Sequence, residues 1–206
     1  DLEEDKRIST SDVIIATLPL SKSNETRKVD NFVTYLSPLK NKLGENAVLI
    51  IIGEMVDLAK IEYIFDGQLK YQVLFAIRRS NELVAEYKGK LSNSHIGALI
   101  FTKYENSLNH LKTRLPYTYC PACKKTTKDY GGRKHLYHEY GTLMSDVWTD
   151  IELNPGNDFN EIYSRFASMF GLPEYEKLMV IDLQNLSFSM DNNGLVIDRS
   201  KSNNNE

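Results

Sequence analysis

Two cysteines, one tryptophan and six prolines in 206 residues are too few for a disulfide framework or a proline-rich linker. No apolar run is long enough to cross a bilayer. The longest, residues 47–52, has the length of a buried strand, whereas a membrane-spanning helix needs about 20 consecutive apolar residues. Charge of either sign is also nearly absent in the balance: a net charge of -3 gives the whole chain no field that would attract nucleic acid. The chain shows no internal repeat, so solenoid architectures are excluded. Its opening, Asp1-Leu2-Glu3-Glu4-Asp5, is acidic and lacks the apolar segment of a secretory signal, and the expectation is a cytoplasmic protein with no membrane partner. What is present is a hydrophobic content of 41%, enough for one good core in a single domain with room for an inserted lobe.

Strand and helix signals alternate along most of the chain. Residues 11–16 read as a short buried strand. Residues 26–43 carry helical spacing at Val29, Phe32, Val33, Leu36 and Leu39, interrupted at Pro38. The β-branched run Val48 to Ile52 suits a central strand, residues 55–65 a helix, and residues 71–78 and 95–103 two further strands. Helical spacing returns over 159–170 through Ile162, Phe166 and Phe170, with Gly171 and Pro173 as stop signals, and residues 177–183 read as another buried strand. Alternation of this kind predicts an α/β sheet. The Asn-rich stretch 200–206 is expected to be disordered.

Between 115 and 151 the composition becomes polar, glycine-containing and aromatic, as in a functional loop or small subdomain. Cys120, Cys123, His135 and His138 are spaced Cys-x2-Cys-x11-His-x2-His, one residue short of zinc-finger spacing in the middle and one short at the end. A structural zinc ion would order such a loop. A reduced thiol pair at a turn, with histidines that are merely polar, fits the spacing as well; a redox site fits poorly, since Pro121-Ala122 does not open a helix after a strand. Lys124, Lys125, Lys128, Arg133 and Lys134 crowd the same stretch beside Tyr130, a local basic and aromatic composition that suits DNA contact but equally a solvated loop or a protein interface. Trp148 is expected in the core, the usual place for a lone tryptophan between apolar neighbours.

Two runs in this segment, Lys128-Asp129-Tyr130-Gly131-Gly132 and Gly141-Thr142-Leu143-Met144-Ser145-Asp146-Val147-Trp148, resemble bacterial DNA amino-methyltransferases acting on adenine N6 or cytosine N4. The order of elements resembles the permuted class, in which the catalytic half precedes the cofactor half. The resemblance spans about residues 8–185 and is strongest over 118–151; its extent rests on motif order. It implies a methyltransferase-like Rossmann-type sheet with helices on both faces and an inserted Cys/His loop subdomain. Residues 1–114 would form the catalytic-half-like region, 115–151 the Cys/His loop subdomain, and 152–199 the cofactor-half-like helix and strand.

The family's two chemical motifs are both degraded. Its catalytic strand ends in Asp/Asn-Pro-Pro-Tyr/Phe, which holds the target amino group and stacks on the flipped base. Here the corresponding residues are Thr17-Leu18-Pro19-Leu20, with a shorter uncharged acceptor and no aromatic face. The cofactor loop, Asp-Pro-Phe-x-Gly-Ser-Gly-Thr in the family, corresponds to residues 182–189, where Asp182 and Ser187 match while Leu186 and Phe188 replace the glycines. The resemblance therefore implies a catalytically inactive methyltransferase-like protein that does not bind S-adenosylmethionine. Such a protein would serve as a DNA-binding or structural subunit beside an active methyltransferase or a nuclease in a modification, restriction or defence system. An active divergent S-adenosylmethionine-dependent adenine-N6 or cytosine-N4 methyltransferase, and a protein-interaction subunit without DNA affinity, are the alternatives.

Overall fold

The computed structural model of the chain describes residues 2, 5–20, 29–80, 94–105, 108–126, 138–153, 158–172, 177–184, 187–191 and 194–198. In chain order the elements are α1 (Arg7–Thr10), β1 (Val13–Thr17), α2 (Val29–Leu36), α3 (Leu39–Lys42), β2 (Val48–Gly53), α4 (Met55–Phe65), β3 (Lys70–Arg79), β4 (His95–Thr102), β5 (Arg114–Leu115), β6 (Tyr119–Cys120), β7 (Lys125–Thr126), β8 (Thr142–Leu143), β9 (Val147–Leu153), α5 (Asn160–Met169), β10 (Leu178–Asp182), β11 (Ser187–Asp191) and β12 (Gly194–Asp198). Among the described residues, no helix is long and apolar enough to cross a membrane.

Six strands form the central sheet in the order β10-β1-β2-β4-β3-β9. β10, β1 and β2 are mutually parallel, β4 runs against both β2 and β3, and β3 is parallel to β9, so β4 alone is reversed. β1 and β2 are buried along their whole length. Their residues alternate between two cores, as the pleat requires. Ile14, Ala16, Leu49 and Ile51 pack with α2, α3 and α4 through Leu36, Leu39, Leu58 and Phe65. Val13, Ile15, Ile50 and Ile52 pack on the opposite face with α5 through Ile162 and Phe166. Helices thus cover both faces, which explains why these strands read as continuous apolar runs instead of alternating ones.

Pro38 separates α2 from α3, as the proline inside a helical pattern implied, and it opens α3 at the N-cap. α5 closes at Gly171, whose φ of 69° is the left-handed turn that glycine supplies cheaply. Two expectations are modified. Residues 178–182 form an edge strand instead of a fully buried one: Met179 and Ile181 face the core while Val180 is 42% exposed, because β10 has a neighbour on one side only. The segment 115–151 also does not stand wholly apart from the sheet, since β9 runs across residue 151 and joins β3. Its other described parts are a β5–β8 ladder and a β6–β7 hairpin. Gly141 is required here: at φ 108°, a Cβ would meet the Leu115 carbonyl oxygen at 1.8 Å. Lys128, Tyr130, Arg133, Lys134, His135, Leu186 and the 200–206 stretch lie outside the described residues.

Candidate functional site

In a parallel α/β sheet the strands end together at one edge, and ligands bind there. At that edge the chain brings together two motifs that are far apart in sequence. Thr17 closes β1 and is in register with Asp182 at the end of β10, and the Leu183 amide donates to the Thr17 carbonyl at 2.9 Å. On the other side Thr17 is in register with Ile52, and the Leu18 amide donates to the Ile52 carbonyl at 2.8 Å. The two positions singled out separately in the sequence therefore lie side by side at the strand ends.

The site's chemistry departs from that geometry. Thr17 is fully buried, and its hydroxyl lies 2.7 Å from the Tyr163 hydroxyl, which reaches it from α5. The Tyr163 phenol is pushed up to about 12, first by burial and then by the nearby Asp182 and Asp158 carboxylates, against the opposing hydrogen bond from Thr17. Leu18 turns into the core beneath Gly53, where a Cβ would meet Leu18 Cδ1 at 2.9 Å. Leu20, half-buried, packs against the α5-side core. The Asp182 carboxylate accepts the Gln184 amide at 2.9 Å, bending the chain locally after β10. Ser187 and Phe188 then lie on β11, paired with Asp198 and Ile197 of β12.

Farther along the same edge Arg79 and Glu54 form a buried ion pair at 2.5 Å, with side-chain exposures of 4% and 13%. Arg79 Nε and Ser80 Oγ are buried without a hydrogen-bond partner among the described residues. Below the edge, Trp148 is in the core as expected, its ring tilted against Phe75 and Phe166 in an aromatic cluster and its indole N–H donating to the Ser145 carbonyl at 2.9 Å. The Arg165 guanidinium sits over the Trp148 ring at 5.1 Å and grips Asp150 with two bonds of 2.9 and 2.7 Å.

Of the predicted site residues, the structure brings together Thr17, Leu18, Pro19, Leu20 and Asp182. Lys124 and Lys125 are exposed on the β6–β7 hairpin. Cys120 and Cys123 share that hairpin, while His138 accepts the Tyr140 amide on Nδ1 at 3.3 Å; no group of three or more Cys, His, Asp or Glu converges among the described residues. Sequence reasoning missed Tyr163, Glu54 with Arg79, and Arg165 with Asp150. Tyr163 could have been found, since it shares the helical face of Phe159 and Phe166 while carrying a hydroxyl that burial obliges to find a partner.

No protein-family model matches the chain. A stretch of 64 residues is 33% identical to the Type II methyltransferase M.BamHI of Bacillus amyloliquefaciens; it takes in 31% of this chain and spans only 15% of that enzyme's length. Among solved structures, M1.HpyAVI superposes with a TM-score of 0.52 at 8% identity, covering 84% of this chain and 80% of that one. The PvuII DNA methyltransferase, cytosine-N4-specific, superposes with a TM-score of 0.53 at 10% identity, covering 88% and 77%. In its fold this chain is a DNA methyltransferase-like protein.

Proposed function

We propose that this chain carries the methyltransferase-like fold without methyl transfer and acts as a DNA-binding or structural subunit of a modification, restriction or defence system. The observation that carries this reading is the contact between Thr17 and Tyr163. A target amine needs an exposed acceptor at the end of β1. The only side-chain oxygen at Thr17 is buried and already bonded within the chain. Catalysis by orientation demands a group free to meet the substrate within a few tenths of an ångström, and no such group is presented by Thr17, Leu18 or Leu20.

The fold family implies S-adenosylmethionine, and the residues present do not fit it. Asp182 spends a carboxylate oxygen on Gln184, Leu183 is fully buried, and β11 follows as a strand where a glycine-rich loop would admit the cofactor. DNA remains the proposed partner on the strength of the fold and of the basic residues around the β6–β7 hairpin, of which Lys124 and Lys125 are exposed. A protein-interaction subunit without DNA affinity is favoured by one observation, the outer side of α4, where Val56 is 73% and Tyr63 81% exposed.

Calorimetric titration with S-adenosylmethionine tests the non-catalytic reading directly. No heat of binding is expected up to millimolar ligand. Micromolar affinity would overturn it and establish the active divergent enzyme in its place.

A further inference from the structure

The central sheet has two lateral edges, and they are built differently. β9 closes one side: its register against β3 shifts between Ile77 and Arg78, and its exposed residues include Thr149 and Asp150. A bulge and a charge are the usual means of keeping an edge from pairing. β10 closes the other side with neither in its middle. It runs in unbroken register with β1 from Leu178 to Asp182, and the residues before Asp182 are all apolar.

The bond from the Leu183 amide to the Thr17 carbonyl fixes which backbone groups of β10 face β1. Met179, Ile181 and Leu183 turn theirs inward. The intervening Leu178, Val180 and Asp182 therefore turn their amide and carbonyl groups outward, where no strand is paired among the described residues. Val180, in the middle of this row, is 42% exposed. Such a row is a template for another strand.

We propose that β10 is a dimerisation edge, pairing antiparallel with β10 of a second copy of this chain about a twofold axis at Val180. The order of charges selects that partner and that direction. β10 is preceded by Lys177 and ends in Asp182, so antiparallel alignment sets the basic end of each copy beside the acidic end of the other, whereas parallel alignment sets like charges together. Lys177 meets Asp12 of its own chain at 3.1 Å but is 63% exposed, which leaves its ammonium open to a second carboxylate. In this register Val180 faces the second copy's Val180, Leu178 faces its Asp182 and Met179 its Ile181. The outward groups of Leu178, Val180 and Asp182 then all fall in hydrogen-bonded pairs. The contact is isologous, so it closes at two copies.

The experiment follows the full chain by sedimentation velocity over a range of concentrations, beside Val180→Pro. Expected is a species of twice the chain's mass that Val180→Pro returns to a single chain with unchanged circular dichroism, because the proline removes only an outward amide that β1 does not use. The pairing direction is read in Val180→Cys carrying Cys120→Ser and Cys123→Ser. Cα atoms of a hydrogen-bonded antiparallel pair lie about 5.5 Å apart, within disulfide reach, so mild oxidation should link two copies. A measurement on the unaltered chain does not depend on any variant folding: hydrogen exchange of the Val180 amide should slow as the chain is concentrated. A chain that stays monomeric at the highest concentration, a dimer that keeps its mass in folded Val180→Pro, a failure to cross-link, or Val180 exchange independent of concentration would each overturn the proposal.

Discussion

The hydroxyls of Thr17 and Tyr163 meet at 2.7 Å across 146 positions of sequence, joining the end of the first sheet strand to the helix on the far side of the sheet. On the function proposed above, this contact leaves no free side-chain acceptor at the end of β1, through packing as well as residue identity.

The contact should be measurable as coupling. Thr17→Val and Tyr163→Phe each leave the partner's hydroxyl buried without its bond and should cost about 1–3 kcal/mol, as measured by urea unfolding. The double variant should cost less than the sum of the two, with a coupling near 1 kcal/mol. Additive losses would mean that the two hydroxyls do not bond in solution.

Restoring a carboxylate at the catalytic position should harm the protein without reviving it. Thr17→Asp puts a charge at a fully buried position beside Asp182, and the expected loss is about 3 kcal/mol or more, with no methyl transfer to DNA. Near-parental stability together with incorporation of labelled methyl groups is the contrary result.

Tyr163 should leave a mark at alkaline pH. The folded chain holds its phenolic proton more tightly than the unfolded chain, since the value rises from 10.0 to about 12 on folding. Its contribution is therefore fully present below pH 10 and is lost as pH climbs through about 12. Unfolding free energies of the parent and of Tyr163→Phe, compared between pH 10 and 12, cancel the other tyrosines and lysines. The parent should lose its advantage across that window, and parallel curves would contradict the assignment.

Arg165 ties α5 to β9 through both Asp150 and Trp148, so Arg165→Met should destabilise by about 1–2 kcal/mol even though it removes no core side chain. The Arg165 hydrogen bonds hold the Asp150 carboxyl below its ordinary value. The stability this contributes is present above pH 3.8 and is lost as pH falls through the lowered value. Asp150→Asn should flatten that acid limb, as followed by circular dichroism during acid titration.

If the basic residues of the 124–134 stretch meet DNA phosphates, duplex affinity should fall steeply with salt. Changing Lys128 and Arg133 together to alanine should then reduce the log–log salt slope by roughly 2, about 0.9 per lost phosphate contact. A gel-shift series over several salt concentrations measures it. A parent chain that binds no duplex at low salt, alone or with its partner, would leave the protein-interaction reading.

The sheet was legible because its signals are local. A run such as Val48 to Ile52, β-branched and bounded by Gly44 and Gly53, has few alternatives to a buried strand, and α5 announced both its apolar face and its stop at Gly171. The edge position of β10 was not legible, because the same apolar residues serve in a central or a lateral strand and only neighbours decide which. Thr17 and Asp182 are singled out separately in the sequence, the first as a departure from its motif and the second as a match; that they sit side by side depends on strand order.

By itself, then, the sequence determined the alternation of strands and helices and the Cys-x-x-Cys pair. The tertiary structure alone decided that Tyr163 takes the Thr17 hydroxyl and that Arg79 is buried against Glu54. The reason is physical. Local periodicity selects an element within a few residues, whereas a buried hydroxyl or charge finds its partner only after distant elements have packed and excluded water.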